Sequence, residues 1–585
     1  MYDHRVSGRN RDSSDEPFEI LFRPGRPPEE GGHPGLRPRR VHEDGMLIEY
    51  DTAVPMRDGV RIYVDVFRPP SEEPAPVLVA WSPYGKHGPV GYHLFPNSDV
   101  DPAWVSRHAA FEAPDPAYWV RHGYAVINVD PRGTWCSEGE ATFWSPQEAE
   151  DLYDLVEWAG TRPWSNGRVG MAGVSYLAMV QWRVAAAGPP HLAAINPWEG
   201  VTDLYREMTH HGGIPENRFL PMWCERRVPY SRTRVEDLAA MAARHPLFDA
   251  YWTSKNPDLP RVRVPAYVVA SWSDQGLHTR GTLEGFRRIG SERKWLEVHG
   301  GKKWAYFYRP ESVERQRLFF DRFLKGRPNE VDSWPRVRIE VRERFSIGHF
   351  RDEDEWPLAR TQHTPLYLDA RTGTLSTTLP EVESEVRYDA RAGAGARFDH
   401  RFDRDTELTG HMKLALWVEA EGADDLDLFV AVQKLDAHGR LVPFSFFNAL
   451  EDGPVALGWL RVSHRELDPE VSTLEQPRLR HRRELRLRPG ETVPVEIEVW
   501  PSSTLFRAGE ALRLVVQGCD VYRYPPEVVA MAHTETRNAG HHVIRTGGRY
   551  RSHLLVPVVP PAPGDGAGRG ERARAMPTPT RKPER

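Results

Sequence analysis

The sequence contains few cysteines and no long apolar run. Its three cysteines, Cys136, Cys224 and Cys519, lie far apart and form none of the closely spaced pairs that bind metals, so we expect no metal site. Free thiols are typical of a reducing compartment, and we expect a cytoplasmic protein. No stretch approaches the roughly 18 consecutive apolar residues of a transmembrane helix, which argues against a membrane protein. Residues 1–40 lack the apolar centre of a secretory signal, so we expect none.

An excess of positive charge is also missing. The 585 residues carry a net charge of −6, and the pI is about 6.5, whereas nucleic-acid-binding domains usually show a strong basic excess. We therefore expect no nucleic-acid partner. Apolar material is plentiful, since 39% of the residues are hydrophobic and 10% are aromatic. A chain of this length and composition is expected to fold into two or more domains with buried cores.

The two ends of the chain differ in composition from the rest. Residues 1–44 and 561–585 are dominated by arginine, proline, glycine and glutamate and show no hydrophobic period, which predicts disordered tails. Ordered structure is predicted to begin near Met46. Leu47–Val54 and Val60–Phe67 have strand character on either side of a turn, so we predict a β-hairpin.

Strand-like and helix-like segments alternate over residues 45–198 and 261–333. In chain order they are Pro76–Ser82, Tyr124–Val129, Gln147–Ala159 (helical), Arg168–Gly173, Tyr176–Ala187 (helical), Leu192–Asn196, Ala266–Ser271, Thr279–Ile289 (helical), Lys294–Val298 and Val313–Leu324 (helical). Such alternation is typical of an α/β domain with a mostly parallel sheet and helices on both faces. Residues 199–260 interrupt it with helical pieces and no buried strand, which predicts a helical cap over the carboxyl edge of the sheet.

The pattern changes at residue 334. From there to residue 560, strand-like runs recur between turn residues, and long helical patterns are missing. These runs are Val337–Val341, Met412–Val418, Leu426–Val432, Val493–Trp500, Ala511–Gln517 and His553–Val558. We therefore predict an all-β domain, a β-sandwich or jelly roll, over residues 334–560.

Ser175 lies in the sequence Gly173-Val174-Ser175-Tyr176-Leu177, between a predicted strand and a predicted helix. A serine on such a turn is lifted above the sheet edge over a helix N-terminus, as in a hydrolase nucleophile. Small residues are expected on both sides because the strand and helix approach closely, and Gly173 and Ala178 fill these places. The alternative is an ordinary turn in which the serine caps the helix.

An acid is expected after a later strand of the sheet. Asp274 ends Ser271-Trp272-Ser273-Asp274, just beyond the strand predicted over 266–271. In hydrolases of this type, that position holds the carboxylate that orients the catalytic histidine. The alternative is a surface aspartate that caps the following helix.

The base is expected on the loop after the next strand. His299 ends that strand and opens a glycine-rich loop, which makes it the candidate general base. The chain has 24 histidines, and His278, His210 and His211 compete. We expect His278 to follow Asp274 too closely for an easy triad, and the pair at 210–211 to line a pocket at most.

Acyl transfer also needs hydrogen-bond donors for the oxyanion. The backbone N–H of Tyr176, directly after the nucleophile, is the standard first donor. The second donor comes from a loop after an early strand, here Trp81-Ser82-Pro83-Tyr84-Gly85-Lys86, in which Tyr84 offers a hydroxyl or its backbone N–H. The alternative is a tyrosine packed at a turn.

Together these residues resemble the cocaine-esterase-like and X-prolyl dipeptidyl-peptidase family of serine hydrolases, over about Met46 to Pro560. The motifs that carry the resemblance are Val54-Pro55-Met56-Arg57-Asp58-Gly59-Val60, Phe67-Arg68-Pro69, Ser82-Pro83-Tyr84, Asp130-Pro131-Arg132-Gly133, Ser137-Glu138-Gly139, Gly167-Arg168-Val169-Gly170, Gly173-Val174-Ser175-Tyr176, Trp272-Ser273-Asp274, Trp500-Pro501-Ser502-Ser503, Phe506-Arg507-Ala508-Gly509, Asn538-Ala539-Gly540-His541 and Ser552-His553-Leu554-Leu555-Val556-Pro557. The resemblance implies an α/β-hydrolase domain, a helical cap and a C-terminal, galactose-binding-like jelly roll. It implies hydrolysis of a small ester, amide or short peptide through an acyl-enzyme on Ser175, without a cofactor, and homodimers are common among such enzymes.

Position by position, the resemblance implies that Ser175 is the nucleophile, Asp274 the acid, Tyr84 an oxyanion donor through its hydroxyl, and Tyr176 one through its backbone N–H. The base departs from the family pattern. The family usually has Gly-Pro-Trp-x-His after the last strand, whereas this chain has His299-Gly300-Gly301-Lys302-Lys303, with Lys303 at the position of the histidine. We assign the base to His299, the only histidine of that loop.

Several functions stay open on this scaffold. An amine or alcohol as acceptor would make the same site an acyltransferase. Lys303 and Ala178 favour instead a catalytically impaired or ligand-binding member, since a fold does not guarantee its function. The C-terminal domain by itself would suit sugar binding. No motif in the cap names a substrate, although Glu199, Glu207 and Glu216 are candidates to hold a substrate's amino terminus.

Overall fold

The computed structural model describes residues 17–87, 98–447 and 449–560. The strands of its first part are β1 (Phe22–Pro24), β2 (Arg39–Glu43), β3 (Met46–Pro55), β4 (Arg61–Arg68), β5 (Ala75–Trp81), β6 (Ala125–Asp130), β7 (Ser165–Val174), β8 (Leu192–Trp198), β9 (His210–His211), β10 (Ile214–Pro215), β11 (Arg234–Glu236), β12 (Ala266–Ser271), β13 (Lys294–His299), β14 (Val337–Arg344) and β15 (Ile347–Glu353). The helices are α1 (Pro116–Arg121), α2 (Pro146–Gly160), α3 (Tyr176–Ala187), α4 (Phe219–Arg226), α5 (Leu238–Arg244), α6 (Ala250–Lys255), α7 (Thr279–Arg288), α8 (Lys303–Tyr308) and α9 (Pro310–Leu324).

One twisted sheet forms the centre of this part. Its strand order is β2-β3-β4-β6-β5-β7-β8-β12-β13-β14-β15. The strands from β6 to β14 in that order run parallel, and the flanking pairs are antiparallel. The predicted hairpin is confirmed as β3 and β4. The carboxyl ends of the parallel strands meet at one edge, where sheets of this kind place their active sites.

The sheet is covered by helices on both faces. Val77 and Val79 of β5 belong to an apolar cluster with residues of α2 and α3. Leu78, between them, packs into a second cluster with residues of α1 and α9. Side chains alternate between the faces of a strand, so a strand covered on both sides is a continuous apolar run. This is why the strand over 76–82 was recognisable from the sequence.

The N-terminal segment corrects one prediction. Residues 17–44 are not a disordered tail, because β1 pairs with β11 and β2 pairs with β3. Phe18, Ile20 and Leu21 pack against the core of the first part, and these apolar residues are hidden among the arginines, prolines and glycines that dominate the segment. The remainder of that predicted tail, residues 1–16, and the predicted tail over 561–585 lie outside the described residues.

The segment between β8 and β12 contains α4, α5 and α6, together with the short strands β9, β10 and β11, which the sequence did not reveal. Helix α4 reaches the carboxyl edge of the sheet. There the indole Nε1 of Trp223 donates a hydrogen bond to the Tyr84 hydroxyl over 3.1 Å. This segment therefore encloses the sheet edge at which Ser175 lies.

The C-terminal part consists mostly of strands. They are β16 (Gln362–Asp369), β17 (Thr374–Ser376), β18 (Ser384–Asp389), β19 (Ala396–Arg401), β20 (Thr406–Glu421), β21 (Asp427–Leu435), β22 (Leu441–Val442), β23 (Phe444–Phe446), β24 (Leu450–Gly453), β25 (Ala456–Arg461), β26 (Val493–Phe506), β27 (Ala511–Gln517), β28 (His541–Thr546) and β29 (His553–Val559). Two antiparallel sets, β16-β29-β20-β26 and β19-β27-β21-β25, share one apolar core. In the described part of the chain, no helix has both the length and the apolar character needed to cross a membrane.

Candidate active site

Ser175 occupies the sharp turn between β7 and α3. Its φ of +60° and ψ of −116° are strained for a residue with a side chain. The backbone N–H of Ser175 fixes the turn, because it lies 3.0 Å from the carbonyl oxygen of Trp198 and 3.1 Å from that of Glu199. Gly173 gives the turn room, since a Cβ at that position would lie 2.5 Å from the Cβ of Leu177.

Ala178 fits into this turn because a glycine lies opposite. A Cβ added at Gly200 would come within 2.8 Å of the Ala178 Cβ. Because Gly200, in the segment after β8, has no Cβ, there is space for the methyl group of Ala178 on helix α3. The methyl group of Ala178 is accommodated without displacing Ser175.

The imidazole that contacts Ser175 belongs to His278. Its Nε2 lies 3.1 Å from the Ser175 Oγ, and its Nδ1 forms a short hydrogen bond with the Asp274 Oδ2. The ring therefore lies between a hydroxyl and a carboxylate. This is the arrangement in which an imidazole takes a proton from serine while a carboxylate fixes its tautomer and orientation.

One turn of the chain brings Asp274 and His278 together. The backbone N–H groups of Leu277, His278 and Thr279 lie 3.2, 3.1 and 3.2 Å from the carbonyl oxygen of Asp274. Residues four apart on such a turn project from the same side. The expectation that His278 follows Asp274 too closely is therefore wrong, because this spacing is what aligns the two side chains.

His299, the predicted base, does not lie at the serine. Its Nε2 is 3.2 Å from the Glu199 Oε1, and its ring stacks on Tyr306 with centroids 3.7 Å apart. The reason lies in the strand: His299 is still paired with Ser271 in the β12–β13 register, so its side chain remains in the core. Burial lowers the pKa of His299 to about 3.

Lys303 occupies the place that the sequence comparison gave to a histidine. It is 2% exposed, and its Nζ lies 2.9 Å from the Asp274 Oδ2 and 3.0 Å from the His278 Nδ1. Burial and then the Lys303 charge lower the pKa of His278 to about 4. Burial opposes ionisation of Asp274, but Lys303 and His278 outweigh it and keep the pKa of Asp274 below its ordinary value.

Both tyrosines that were predicted to be oxyanion donors, Tyr84 and Tyr176, lie next to Ser175. The Tyr84 hydroxyl accepts from Trp223 and interacts with the Ser175 side chain. Burial raises the pKa of Tyr84, so the phenol keeps its proton. Tyr176 is the first residue of α3, and N–H groups of a first helical turn have no acceptor within the helix. The Tyr176 hydroxyl donates to the Glu148 Oε1 over 2.5 Å, so its side chain belongs to the core.

A cavity of about 30 Å³ opens at Ser175. Its walls are mainly aromatic and aliphatic: Tyr84, Phe111, Phe219, Met222, Trp223, Leu277, Trp304 and Val529, with the polar residues Glu112, Ser175, Arg227, His278 and Lys303. One oxygen of Glu112 accepts from the Trp304 Nε1 over 2.9 Å, and the other has no partner among the described residues. Burial raises the pKa of Glu112 to about 7.

A larger groove of about 630 Å³ lies next to this cavity. It runs between α4 and the chain over residues 519–536, and Met222 and Val529 line both spaces. A side chain from the α4 segment and one from the C-terminal part thus separate the small cavity from the groove.

The other predicted carboxylates and histidines have structural partners. Glu207 forms an ion pair with Arg280 over 2.6 Å, and Glu216 accepts the backbone N–H of Phe219 over 2.7 Å. The Nδ1 of His211 lies 2.8 Å from the Nε2 of His533. Glu207, Glu216 and His211 are not among the described residues that line the cavity at Ser175.

Within the described ranges, one group of side chains has donor atoms close enough together to hold a metal ion: His33, Asp51 and His87. The Lys86 ammonium lies among them, in contact with Asp51, 2.6 Å from the His87 Nε2 and 3.0 Å from the Asp65 Oδ1. A metal would have to displace this ammonium, which already balances the aspartates. We therefore assign no metal to the group.

Ser175 lies on a sharp turn at the carboxyl edge of a parallel sheet, next to a histidine and an aspartate. These features define a serine hydrolase of the α/β-hydrolase class. Residues 58–302 match the X-Pro dipeptidyl-peptidase (S15) family, and residues 329–555 match the C-terminal non-catalytic domain of X-Pro dipeptidyl-peptidases. The chain belongs to the CocE/NonD hydrolases of the S15 family. The resemblance drawn from the sequence motifs is confirmed.

Known relatives agree with this class. The chain is 29% identical to cocaine esterase of Rhodococcus sp. (strain MB1 Bresler), with 86% of this chain and 97% of that protein aligned. It is 42% identical to a CocE/NonD family hydrolase from Staphylococcus aureus, with a TM-score of 0.86 over 90% of this chain and 99% of that one. An α-amino acid ester hydrolase shares the fold at 17% identity and a TM-score of 0.63, over 88% of this chain and 98% of that one. The chain is a serine hydrolase that acts on ester or amide bonds.

Proposed function

We propose that the protein is a carboxylic ester hydrolase whose catalytic triad is Ser175, His278 and Asp274. The observation that carries the proposal is the 3.1 Å contact between the Ser175 Oγ and the His278 Nε2. Ser175 and Asp274 keep the roles expected from the sequence, and His278 replaces His299 as the base. The Tyr84 hydroxyl and the Tyr176 backbone N–H complete the site as the oxyanion hole.

The reaction follows from the positions of these groups. Ser175 Oγ attacks the ester carbonyl while its proton moves to the His278 Nε2. The carbonyl oxygen gains negative charge and accepts hydrogen bonds from the Tyr84 hydroxyl and the Tyr176 N–H. His278 then protonates the leaving alcohol, and an acyl-enzyme forms on Ser175. A water molecule, deprotonated by His278, releases the acid and restores the serine.

The cavity favours a short acyl group. A volume of about 30 Å³ is far below the 300–1,000 Å³ of pockets for drug-sized ligands. The larger groove beyond Met222 and Val529 has room for a bulky alcohol portion. We therefore propose esters that combine a short acyl chain with a large leaving alcohol.

Sequence coverage favours an ester over an X-Pro peptide as substrate. The alignment with cocaine esterase spans 97% of that protein. The alignments with putative Xaa-Pro dipeptidyl-peptidases from Streptomyces avermitilis and Bacillus anthracis span 40% and 61% of those proteins. The fuller match to an esterase supports an ester as the proposed substrate.

The proposal is tested with a fluorophosphonate and a series of p-nitrophenyl esters. We expect a single adduct, on the peptide that contains Ser175, by mass spectrometry of the intact and digested protein. The kcat/KM for the acetate should exceed that for the octanoate by about tenfold or more, because an acyl chain longer than the cavity would collide with its aromatic and aliphatic walls. Alanyl-prolyl p-nitroanilide serves as the peptidase control. An unlabelled serine, or faster cleavage of the anilide than of the acetate, would contradict the proposal.

Substituting Tyr84 by phenylalanine should lower kcat for p-nitrophenyl acetate by about 10²–10³, the usual effect of losing one oxyanion donor. KM should change little, because the hydroxyl acts mainly in the transition state. Trp223→Phe is the comparison: it keeps the Tyr84 hydroxyl but removes its donor and part of the cavity wall, and it should reduce kcat less than tenfold. Equal kcat values for Tyr84→Phe and wild type would exclude the tyrosine from the oxyanion hole.

The proposed domain plan keeps a cap over 199–260. It extends the hydrolase domain predicted over 45–198 and 261–333 back to residue 39 and on to residue 353, because β2 pairs with β3, β14 with β13 and β15 with β14. The strand predicted over 337–341 thus belongs to the hydrolase sheet, and the jelly roll predicted over 334–560 is proposed to begin with β16 and to accompany the hydrolase. The two antiparallel strand sets with a common apolar core support this plan. Val529 supplies part of the cavity wall, so the C-terminal domain takes part in shaping the site.

A further inference from the structure

A lysine, Lys303, contacts both Asp274 and His278. The Lys303 Nζ lies 2.9 Å from the Asp274 Oδ2 and 3.0 Å from the His278 Nδ1. Lys303 is the first residue of α8, and a different loop therefore presents this cation to the pair. The Asp274 carboxylate therefore has two cationic or hydrogen-bonding partners, the His278 imidazole and the Lys303 ammonium, instead of the imidazole alone.

The position of Lys303 has two consequences for His278. First, the ammonium and the imidazole both bind the same Asp274 oxygen, so the carboxylate is held on two sides and its oxygen stays aimed at Nδ1. The proton on Nδ1 is then retained, and Nε2 is left free to accept the Ser175 proton. Second, a positive charge at 3.0 Å opposes a second positive charge on the ring.

The surroundings determine how strong the second effect is. Besides His278, the titratable groups that act most strongly on Lys303 are the carboxyls of Asp274, Glu199 and Glu112. Burial opposes the charge on Lys303, but these carboxyls outweigh it and raise its pKa, so the ammonium keeps its charge. Burial raises the pKa of Glu199 and of Glu112, which leaves Asp274 as the anion that Lys303 balances.

We propose that Lys303 is a positioning residue of the catalytic site, which fixes the Asp274 carboxylate against His278 and keeps the imidazole unprotonated in acid solution, so that the esterase stays active at low pH. The inference rests on the proposed Ser175–His278–Asp274 triad. It explains why a lysine at this position is compatible with catalysis. The base is supplied by the loop after β12, so position 303 is available for a charge.

The pH profile of kcat/KM tests the inference, because it reports the ionisation of the free enzyme. A base acts only when it is unprotonated, so activity is lost as the pH falls through the pKa of His278. In the wild type this loss should fall near pH 4. In Lys303→Gln, which keeps a hydrogen-bond donor without the charge, it should move up by about one to three pH units. At pH 5 the variant should lose about two- to hundredfold in kcat/KM relative to its own value at pH 8, depending on the size of the shift.

Three comparisons make the result decisive. Lys303→Arg keeps a cation and should keep the acid limb within about half a pH unit of wild type. Lys302→Gln is the neighbouring control: its ammonium pairs with Asp99 and Glu451, each over 2.7 Å, so the profile should not move. Lys303→Met provides a second uncharged variant should the glutamine not fold.

The outcomes separate this inference from the proposed function. A wild-type protein that neither reacts with a fluorophosphonate nor hydrolyses esters would overturn the triad itself. An active wild type whose acid limb coincides with those of Lys303→Gln and Lys303→Met would overturn only the role of Lys303. A limb that moves in both uncharged variants, but in neither Lys303→Arg nor Lys302→Gln, supports it.

Discussion

Replacing His278 with glutamine is expected to lower kcat/KM for p-nitrophenyl acetate by a factor of about 10⁴ or more. Glutamine has a similar reach and can hydrogen-bond, but it cannot take the proton of Ser175. The fluorophosphonate should also label this variant far more slowly, because the serine is no longer activated. Initial rates over a range of enzyme concentrations, together with the time course of labelling, measure both effects.

His299→Gln is the matched control for that experiment. Both histidines are buried and both have a carboxylate neighbour, Asp274 for one and Glu199 for the other. The His299 variant should lose its stacking on Tyr306 and some stability, yet keep kcat/KM within about tenfold of wild type. A urea unfolding curve separates the stability effect from the catalytic one. The reverse ranking of the two variants would restore His299 as the base and contradict the assignment of His278.

Ser175→Ala should lower kcat by about 10⁵–10⁶, the effect seen when a serine nucleophile is removed. It should also abolish the fluorophosphonate adduct in the intact-mass spectrum. Ser273→Ala, on the loop that carries the acid, is the control, because Ser273 bonds to Ser271 and to the Gly301 carbonyl and not to the reacting atoms. Residual labelling of Ser175→Ala would place the nucleophile elsewhere.

The same residue predicts an effect on stability. Ser175 has a φ of +60°, a conformation that glycine adopts at lower cost than any residue with a Cβ. Ser175→Gly should therefore be inactive and more stable than Ser175→Ala, by about 1 kcal/mol in the unfolding of the hydrolase part. Equal unfolding midpoints in urea for the two variants would show that the turn stores no strain.

The parallel sheet could be predicted because its strands are buried on both faces. Short apolar runs that contain valine, such as 76–82, are typical of strands buried on both faces. The nucleophile and the acid could also be proposed, since each directly follows such a strand. These assignments depend on position at a strand end, which a sequence reveals well.

The base could not be found in the same way. The side chain of His299 belongs to the last pair of its strand, and only the β12–β13 register shows this. The turn that aligns His278 with Asp274 has no hydrophobic period, so its geometry is invisible to pattern analysis. The signal that could have led to His278 is Lys303, because a lysine at the position of the expected histidine leaves the base to be supplied by another segment.

The acid and the base lie on one segment of five consecutive residues, Asp274 to His278. In the proposed triad, two of the three groups thus move together. A movement between the loops after β12 and β13 leaves the backbone spacing of this pair unchanged and shifts only Lys303 relative to it. The loop after β13 does not supply the proton acceptor of this triad. In this chain it supplies a cation, Lys303, that contacts both members of the pair.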